Sequence, residues 1–450
     1  MQPEGCLDCS VRPTRGMTLT MPGLESALAE QLERRRRAAA EAWSLRDEVI
    51  LIGFGKRISI PGRGDRTYPF RAHSEYLYLT DREGPGGILA FDPLTGWMDF
   101  VAPTTREERL WEGGSPTDLE EASVDAFGSW LAARQGRKTA CLGDGLDEIV
   151  SDPILETFVR EALNEIRRRK DEVGLARMRQ AELVTCVGFA AVRSSIQPGR
   201  TERELQIELE AEFYRQGADF LAFDTIVGGG PNSAVLHFPP STRRFQEGDL
   251  VLIDAGAEIR GYASDITRTY PASGTFNPEQ AELHAIVREA NRVATLSCRP
   301  GTEWRDVHRA ASLVLAEGLV SFGLLFGEPE SLVDSGAVHI FFPHGIGHMV
   351  GLGIRDAGGL LPGRVSNTNE FPRLRVDLPL LPGYTMTIEP GFYVVPALLG
   401  DQDFRERHRR DVNWDRAARM VSFGGIRIED NVLVTTDGCE VLTSNVPLID

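Results

Sequence analysis

Residues 250–270, LVLIDAGAEIRGYASDITRTY, read as two strands joined by a tight turn. The apolar run Leu250–Ile253 stops at Asp254, Arg260-Gly261 supplies the turn, and Asp265 sits on the returning strand. With a two-residue turn, Asp254 lies opposite Thr267, and Asp265 is its diagonal neighbour on the same face, because side chains alternate with period two. Like charges side by side in a sheet repel unless something neutralises them, and a bound cation does so. The alternative is a shifted register that turns one aspartate to solvent.

Three further segments carry residues of the same chemistry. FFPHGIGHMVGLG holds His344 and His348 at a spacing of four, but its glycines at 345, 347, 351 and 353 argue for an irregular approach to a strand rather than a helix. TIEPGFY places Glu389 at the end of an apolar strand, with Pro390-Gly391 turning the chain after it. GGIRIEDNVLVT places Glu429 inside an apolar strand, with Arg427 two residues earlier on the same face. A glutamate aimed into a core is rare unless paired or metal-bound, so the alternatives are an Arg427–Glu429 ion pair and a metal site. The ion pair leaves Asp254, Asp265 and Glu389 unexplained. Four carboxylates and one imidazole, balanced by two divalent ions, point to a dinuclear hydrolase.

A chain of 450 residues is long for one hydrophobic core, and two domains are expected. The excess of 66 acidic over 49 basic residues, a net charge of −17, argues against nucleic acid or an anionic membrane as partner. No apolar run reaches the ~20 residues that span a bilayer, and no signal peptide is evident, so a cytoplasmic location is expected. Cys6 and Cys9 form a lone CxxC, read as part of a flexible terminus over residues 1–20 without metal. Residues 21–162 alternate as an α/β domain: a charged helix over 24–45, strands in DEVILIGFG, SEYLYLT and GGILAFDP, helices in TREERLWEG and LEEASVDAFGSWLAAR, and a strand in KTACLG. Residues 163–450 begin with helices, the RRRK run reading as a solvated helix face, and become rich in glycine and strands after Gly217. Helices over about 277–297 and 303–320 interrupt the strands. The whole is an α+β chain.

These motifs, in the order IDAGAEIRGYASDITRTYP, PHGIGHMVGLG, TIEPGFY and GGIRIEDNVLVT, resemble the prolidase and aminopeptidase P group of pita-bread metallopeptidases, most closely the Xaa-Pro dipeptidases (prolidases). The resemblance covers about 165–450 strongly and the N-terminal domain more loosely. It implies a C-terminal pita-bread catalytic domain in which Asp265 and Glu429 bridge two metals, Asp254 binds one, and His348 and Glu389 complete the other. Mn²⁺ is the ion expected, with Co²⁺ or Zn²⁺ able to substitute, and carboxylate-rich ligation suits Mn²⁺. A metal-bridging hydroxide would attack the carbonyl before a C-terminal proline, with Glu389 shuttling protons. His344 and Arg427 join Glu389 as candidate catalytic residues, and His237 in AVLHF matches a substrate-contacting histidine. The family commonly forms homodimers.

Two features point to a proline-containing dipeptide as substrate. The Glu389–Glu429 gap of forty residues resembles the longer connection of prolidases, and Arg375 matches an arginine that binds the dipeptide carboxylate. An Xaa-Pro aminopeptidase acting on longer peptides is the alternative, and a catalytically weak pita-bread binding protein or creatinase-like, metal-independent chemistry stand further off. Arg355 departs from the pattern: seven residues after the ligand histidine the family has a second histidine, where this chain reads GIRD. An arginine there supplies charge and donors but no exchangeable proton near neutrality, which fits substrate binding.

Overall fold

The computed structural model describes residues 24–446 apart from 85, 103–105, 112–121, 362, 366–367, 369 and 372–373. Cys6 and Cys9, and the terminus that holds them, lie outside the described residues. The chain divides at Arg167–Arg168 into two compact units, each with its own apolar core.

In the first unit, helix α1 (Leu24–Trp43) precedes strand β1 (Val49–Phe54), then helix α2 (Ser74–Thr80) and strands β2 (Gly87–Asp92), β3 (Gly96–Val101), β4 (Ala122–Ser123) and β5 (Thr139–Asp144). They form one sheet in the order β4-β3-β2-β1-β5, with β1 antiparallel to β2 and parallel to β5. The run VILIGF suits this near-central place, where both faces are covered.

SEYLYLT, expected as a strand, is helix α2. Its alternation suggests one wet face, but Glu75 through Thr80 are all buried, so period two carries no information there. Capping decides instead. The His73 ring accepts from the Glu75 N–H at 3.3 Å, and Asp81, in a left-handed conformation, closes the other end through its N–H to the Leu77 carbonyl at 2.8 Å. The segment LEEASVDAFGSWLAAR is helical only in part: its described portion opens on β4 and a short turn before helix Phe127–Ala132.

The second unit is built on the quoted stretch. Strand β8 (Leu250–Ala255) pairs antiparallel with β11 (Ile266–Pro271) and with β7 (Ile226–Gly229). Strand β6 (Phe220–Leu221) pairs with β9 (Ala257–Ile259), which turns through Arg260-Gly261 into β10 (Tyr262–Ala263). Both turn residues have positive φ, 50° and 80°, as a two-residue hairpin turn requires. The register follows: Asp254 stands opposite Thr267.

A second group of strands, β14 (Thr385–Ile388), β15 (Gly391–Tyr393), β16 (Gly425–Arg427), β17 (Asp430–Val434) and β18 (Cys439–Val441), pairs β14-β17-β18 and β15-β16. Between β10 and β14 the chain also forms the two-stranded pair β12 (Gly359–Leu360) and β13 (Val376–Asp377). Each main sheet carries its own helices. Helices α3 (Glu172–Val192) and α4 (Glu202–Arg215) share a core with β8 and β11. Helices Pro278–Ser297 and Trp304–Ser321 share a larger one with β14 and β17. Among the described residues no helix is long and apolar enough to cross a membrane.

Candidate metal centre

Among the described residues the two groups of strands meet at the isolated backbone pairing Thr267↔Glu429, in which the Glu429 N–H donates to the Thr267 carbonyl at 3.0 Å. Around it lie the five expected ligands. Asp254 is on β8, and Asp265 sits in the short break between β10 and β11. Glu389 follows β14 directly, and Glu429 occupies the break between β16 and β17. Asp265 and Glu429 are thus at points where the chain changes ladder, not inside a strand as expected. His348 is held by a reciprocal pair with β14: its N–H donates to Thr387 Oγ1 at 3.0 Å, and its carbonyl accepts from the Thr387 N–H at 2.8 Å. Gly347 makes this approach feasible, since a Cβ there would meet the Thr387 carbonyl oxygen at 2.0 Å. The segment is irregular, not helical, as its glycines imply.

Asp254, Asp265, His348 and Glu429 are buried, whereas the Glu389 side chain keeps 19% of its surface. Asp265, His348 and Glu429 each offer one ligand atom within 4.8 Å of the others. His348 Nε2 lies 3.4 Å from Asp265 Oδ2 and 4.0 Å from Glu389 Oε1. Its Nδ1 is 3.0 Å from the Met349 carbonyl, which only accepts, so Nδ1 carries the proton and Nε2 turns a lone pair to the carboxylates. Burial, then the neighbouring carboxylates, pushes Asp265 and Glu429 well above the ordinary range, and burial raises Glu389 too. Burial also lowers His348, favouring its neutral form. Asp254 Oδ1 is buried with no hydrogen-bond partner among the described residues. An orphaned carboxylate oxygen, a free imidazole lone pair and crowded acids fit divalent cations.

Arg427 does not pair chiefly with Glu429, whose Oε2 is 4.0 Å from its Nε. Its fork donates to Asp254 Oδ2 at 2.6 Å, to Tyr393 Oη at 2.9 Å and to Thr267 Oγ1 at 3.0 Å. Thr267 Oγ1 in turn donates to Glu429 Oε2 at 2.6 Å. One buried guanidinium therefore reaches a carboxylate of each sheet, Asp254 directly and Glu429 through a hydroxyl. Thr267 and Tyr393 escaped sequence reading. Tyr393, in the TIEPGFY motif, carries the only local hint.

His344 Nδ1 lies 3.7 Å from Glu389 Oε2 and 2.9 Å from the Gly345 carbonyl, which fixes the proton on Nδ1. Nε2 then accepts from the Tyr393 hydroxyl at 2.9 Å. Burial, reinforced by the Arg427 charge, lowers His344 to about 3, so the ring is neutral. His237 is exposed on the loop after the turn Gly230–Ala234, not buried in a strand. Burial of its ring and then the Arg355 charge lower its pKa. Arg355 and Arg375 are also exposed, and their charges act on His237 and His348. The structure thus gathers the five candidate ligands, Arg427 and His344 around the Thr267↔Glu429 pairing and leaves His237, Arg355 and Arg375 exposed.

The thirty-nine residues between Glu389 and Glu429 include three short helices, Pro396–Leu399, Gln402–Arg407 and Trp414–Arg419. Leu399, Val412, Ala417 and Met420 join the larger core, and Phe326 N–H donates to the Asp411 carbonyl at 2.8 Å. The insert thus has a packing role beside helix Trp304–Ser321, and its length says little about substrate.

Residues 176–436 match the metallopeptidase family M24, and residues 32–128 match the N-terminal domain of aminopeptidase P. The chain is 33% identical to the probable Xaa-Pro aminopeptidase of Botryotinia fuckeliana, covering 84% of this chain and 86% of that one. It is 29% identical to the Xaa-Pro aminopeptidase of Escherichia coli K12, covering 93% and 95%. Its fold is similar to the solved aminopeptidase PepP of Pseudomonas aeruginosa, with TM-score 0.77, 29% identity and coverage of 93% and 96%. The pita-bread expectation for the C-terminal domain holds.

Proposed function

The chain belongs to metallopeptidase family M24, and on that premise we propose that it is an Xaa-Pro aminopeptidase, removing the residue that precedes proline at a peptide's N-terminus. The supporting observation is similarity along nearly the whole chain to proteins of that name, together with Asp265, His348 and Glu429 offering ligand atoms within 4.8 Å of one another and Glu389 4.0 Å from His348. The relatives favour this reading over the dipeptidase expected from the insert length and Arg375.

Asp254, Asp265, His348, Glu389 and Glu429 would hold two divalent ions, with Mn²⁺ the first to test. Such ions supply Lewis acidity toward the scissile carbonyl and acidify an attacking water at neutral pH. Glu389, part exposed and with a raised pKa, takes the proton from that water and returns it to the prolyl nitrogen. The neutral His344 ring, fixed by the Gly345 carbonyl at Nδ1 and the Tyr393 hydroxyl at Nε2, stands beside Glu389, with Nδ1 3.7 Å from Oε2. Arg427 offsets part of the acidic charge and holds Asp254 in place. His237, Arg355 and Arg375 contact the peptide from the surface. The reading also includes a cytoplasmic homodimer, checked by light scattering and cell fractionation.

The test is hydrolysis of Ala-Pro, Ala-Pro-Ala and a longer Ala-Pro peptide after Mn²⁺ loading. The proposal expects kcat/KM on the longer peptides to exceed that on the dipeptide. A preference for Ala-Pro would overturn it in favour of the dipeptidase, and inactivity of the loaded protein on all three would overturn both.

A further inference from the structure

Asp265 and Glu429 stand at breaks between strands of different sheets, and among the described residues the backbone pairing beside them is Thr267↔Glu429. Side chains must therefore help to set their separation. Arg268 is one such link, donating to the Thr267 carbonyl at 3.0 Å, the Glu429 carbonyl at 2.6 Å and Asp430 Oδ1 at 2.7 Å. Another comes from outside both sheets. Glu182, on helix α3, accepts from Ser264 Oγ at 2.7 Å through Oε2 and from Asn431 Nδ2 at 2.7 Å through Oε1. Ser264 directly precedes Asp265, and Asn431 lies two residues beyond Glu429. Glu182 is 2% exposed, and Ser264 and Asn431 are fully buried.

We propose that Glu182 is a positioning residue of the metal centre, spanning from helix α3 the two segments that carry Asp265 and Glu429 and fixing their separation. The proposal rests on the metal reading of those two carboxylates. An apolar side chain of similar size would fill this space without the desolvation cost of a carboxyl, but it would tie neither segment. Helix α3 is itself anchored to β9 one turn further on, where Thr185 Oγ1 accepts from the Ala257 N–H at 2.9 Å. Glu182 thus extends a fixed support toward Asn431. Asn431 Oδ1 has no partner among the described residues. In Glu182→Gln the new amide can keep the Ser264 bond and donate to that oxygen once the Asn431 amide turns over.

The experiment titrates Mn²⁺ into metal-free full-length protein by calorimetry and follows the exchange-coupled dinuclear signal by electron paramagnetic resonance. Wild type, Glu182→Ala, Glu182→Gln and Ser264→Ala are compared, with far-ultraviolet circular dichroism confirming the fold. Glu182→Ala is expected to weaken binding of at least one ion by about 10–100-fold and to diminish the coupled signal. Glu182→Gln should restore both. If Glu182→Ala does not fold, Ser264→Ala, which deletes one of the two bonds, should show the weakening. Unchanged affinity and coupling in a folded Glu182→Ala, or in Ser264→Ala where that variant stands in, overturns the positioning role and leaves the metal centre intact. Failure of wild type to bind the ions overturns both.

Discussion

Arg427 and Asp254, 173 residues apart in the chain, form a buried pair with Nη2 2.6 Å from Oδ2. The pair joins the two sheets and leaves Asp254 Oδ1 as its unpartnered oxygen. Removing one partner of a buried ion pair strands the other charge, at a cost of about 3–5 kcal/mol. Arg427→Ala is therefore expected to lower unfolding free energy by an amount in that range, measured in urea on the metal-free protein. Arg427→Lys keeps a charge but not the planar fork that serves Asp254, Tyr393 and Thr267 together, and should fall between the two. A metal-free Arg427→Ala as stable as wild type would show that the pair is dispensable.

Metal loading should release protons, and the sign follows from burial. A carboxyl whose folded pKa is raised stabilises the fold fully below its unfolded pKa and loses that contribution as pH rises through its folded value. Asp265, Glu389 and Glu429 are all shifted upward. Their contribution to the metal-free protein therefore declines from about pH 4 upward. Bound ions hold the same groups deprotonated, so the gain in Tm on loading should grow between about pH 5 and 8. Calorimetry in buffers of different ionisation heat should report net proton release at pH 7. His348, already shifted toward neutral imidazole, adds little to that count. Proton uptake, or a loading gain that shrinks with pH, would contradict the assignment.

Local chemistry made the hairpin legible. Arg260-Gly261 specifies a two-residue turn, and the turn alone sets Asp254 opposite Thr267. Glu389 was equally readable, because an apolar strand ending before Pro-Gly has one natural stop. SEYLYLT was not, since full burial erases the contrast on which periodicity depends. Nor could Glu429 be separated from Arg427 by spacing, because the chain changes ladder between them. The contacts that organise the centre span long loops: Thr267 to Glu429 across 162 residues and Glu182 to Asn431 across 249. No window of sequence contains both ends of such a bond.

Arg355 offers a pH test of substrate binding. Its charge is the second cause, after burial, of the lowered His237 pKa. Arg355→Ala should raise that pKa and move the acid limb of kcat/KM to higher pH. It should also raise KM for tripeptides more than it lowers kcat, because an exposed cation binds and does not exchange protons. Arg355→His supplies a donor and should recover part of the loss. Unchanged kcat/KM profiles in both variants would remove Arg355 from the reaction.

Tyr393 links His344 to Arg427, donating to Nε2 while accepting from Nη1, both at 2.9 Å. Burial keeps its hydroxyl protonated, so the donor is present throughout the working pH range. Tyr393→Phe preserves the ring packing against His344 and removes only the oxygen. A buried guanidinium then loses an acceptor, a change of about 1.5–3 kcal/mol for a bond to a charged group. The His344 ring keeps its Nδ1 proton through the Gly345 carbonyl but loses the restraint at Nε2. Stability should therefore fall by that amount, and kcat should fall more than KM changes, because the His344 ring beside Glu389 is no longer fixed at both nitrogens. Nitrogen-15 spectra should retain the Nδ1–H tautomer and broaden at Nε2. A variant with wild-type stability and kcat would show that the hydroxyl is a bystander and that Gly345 alone orients the ring.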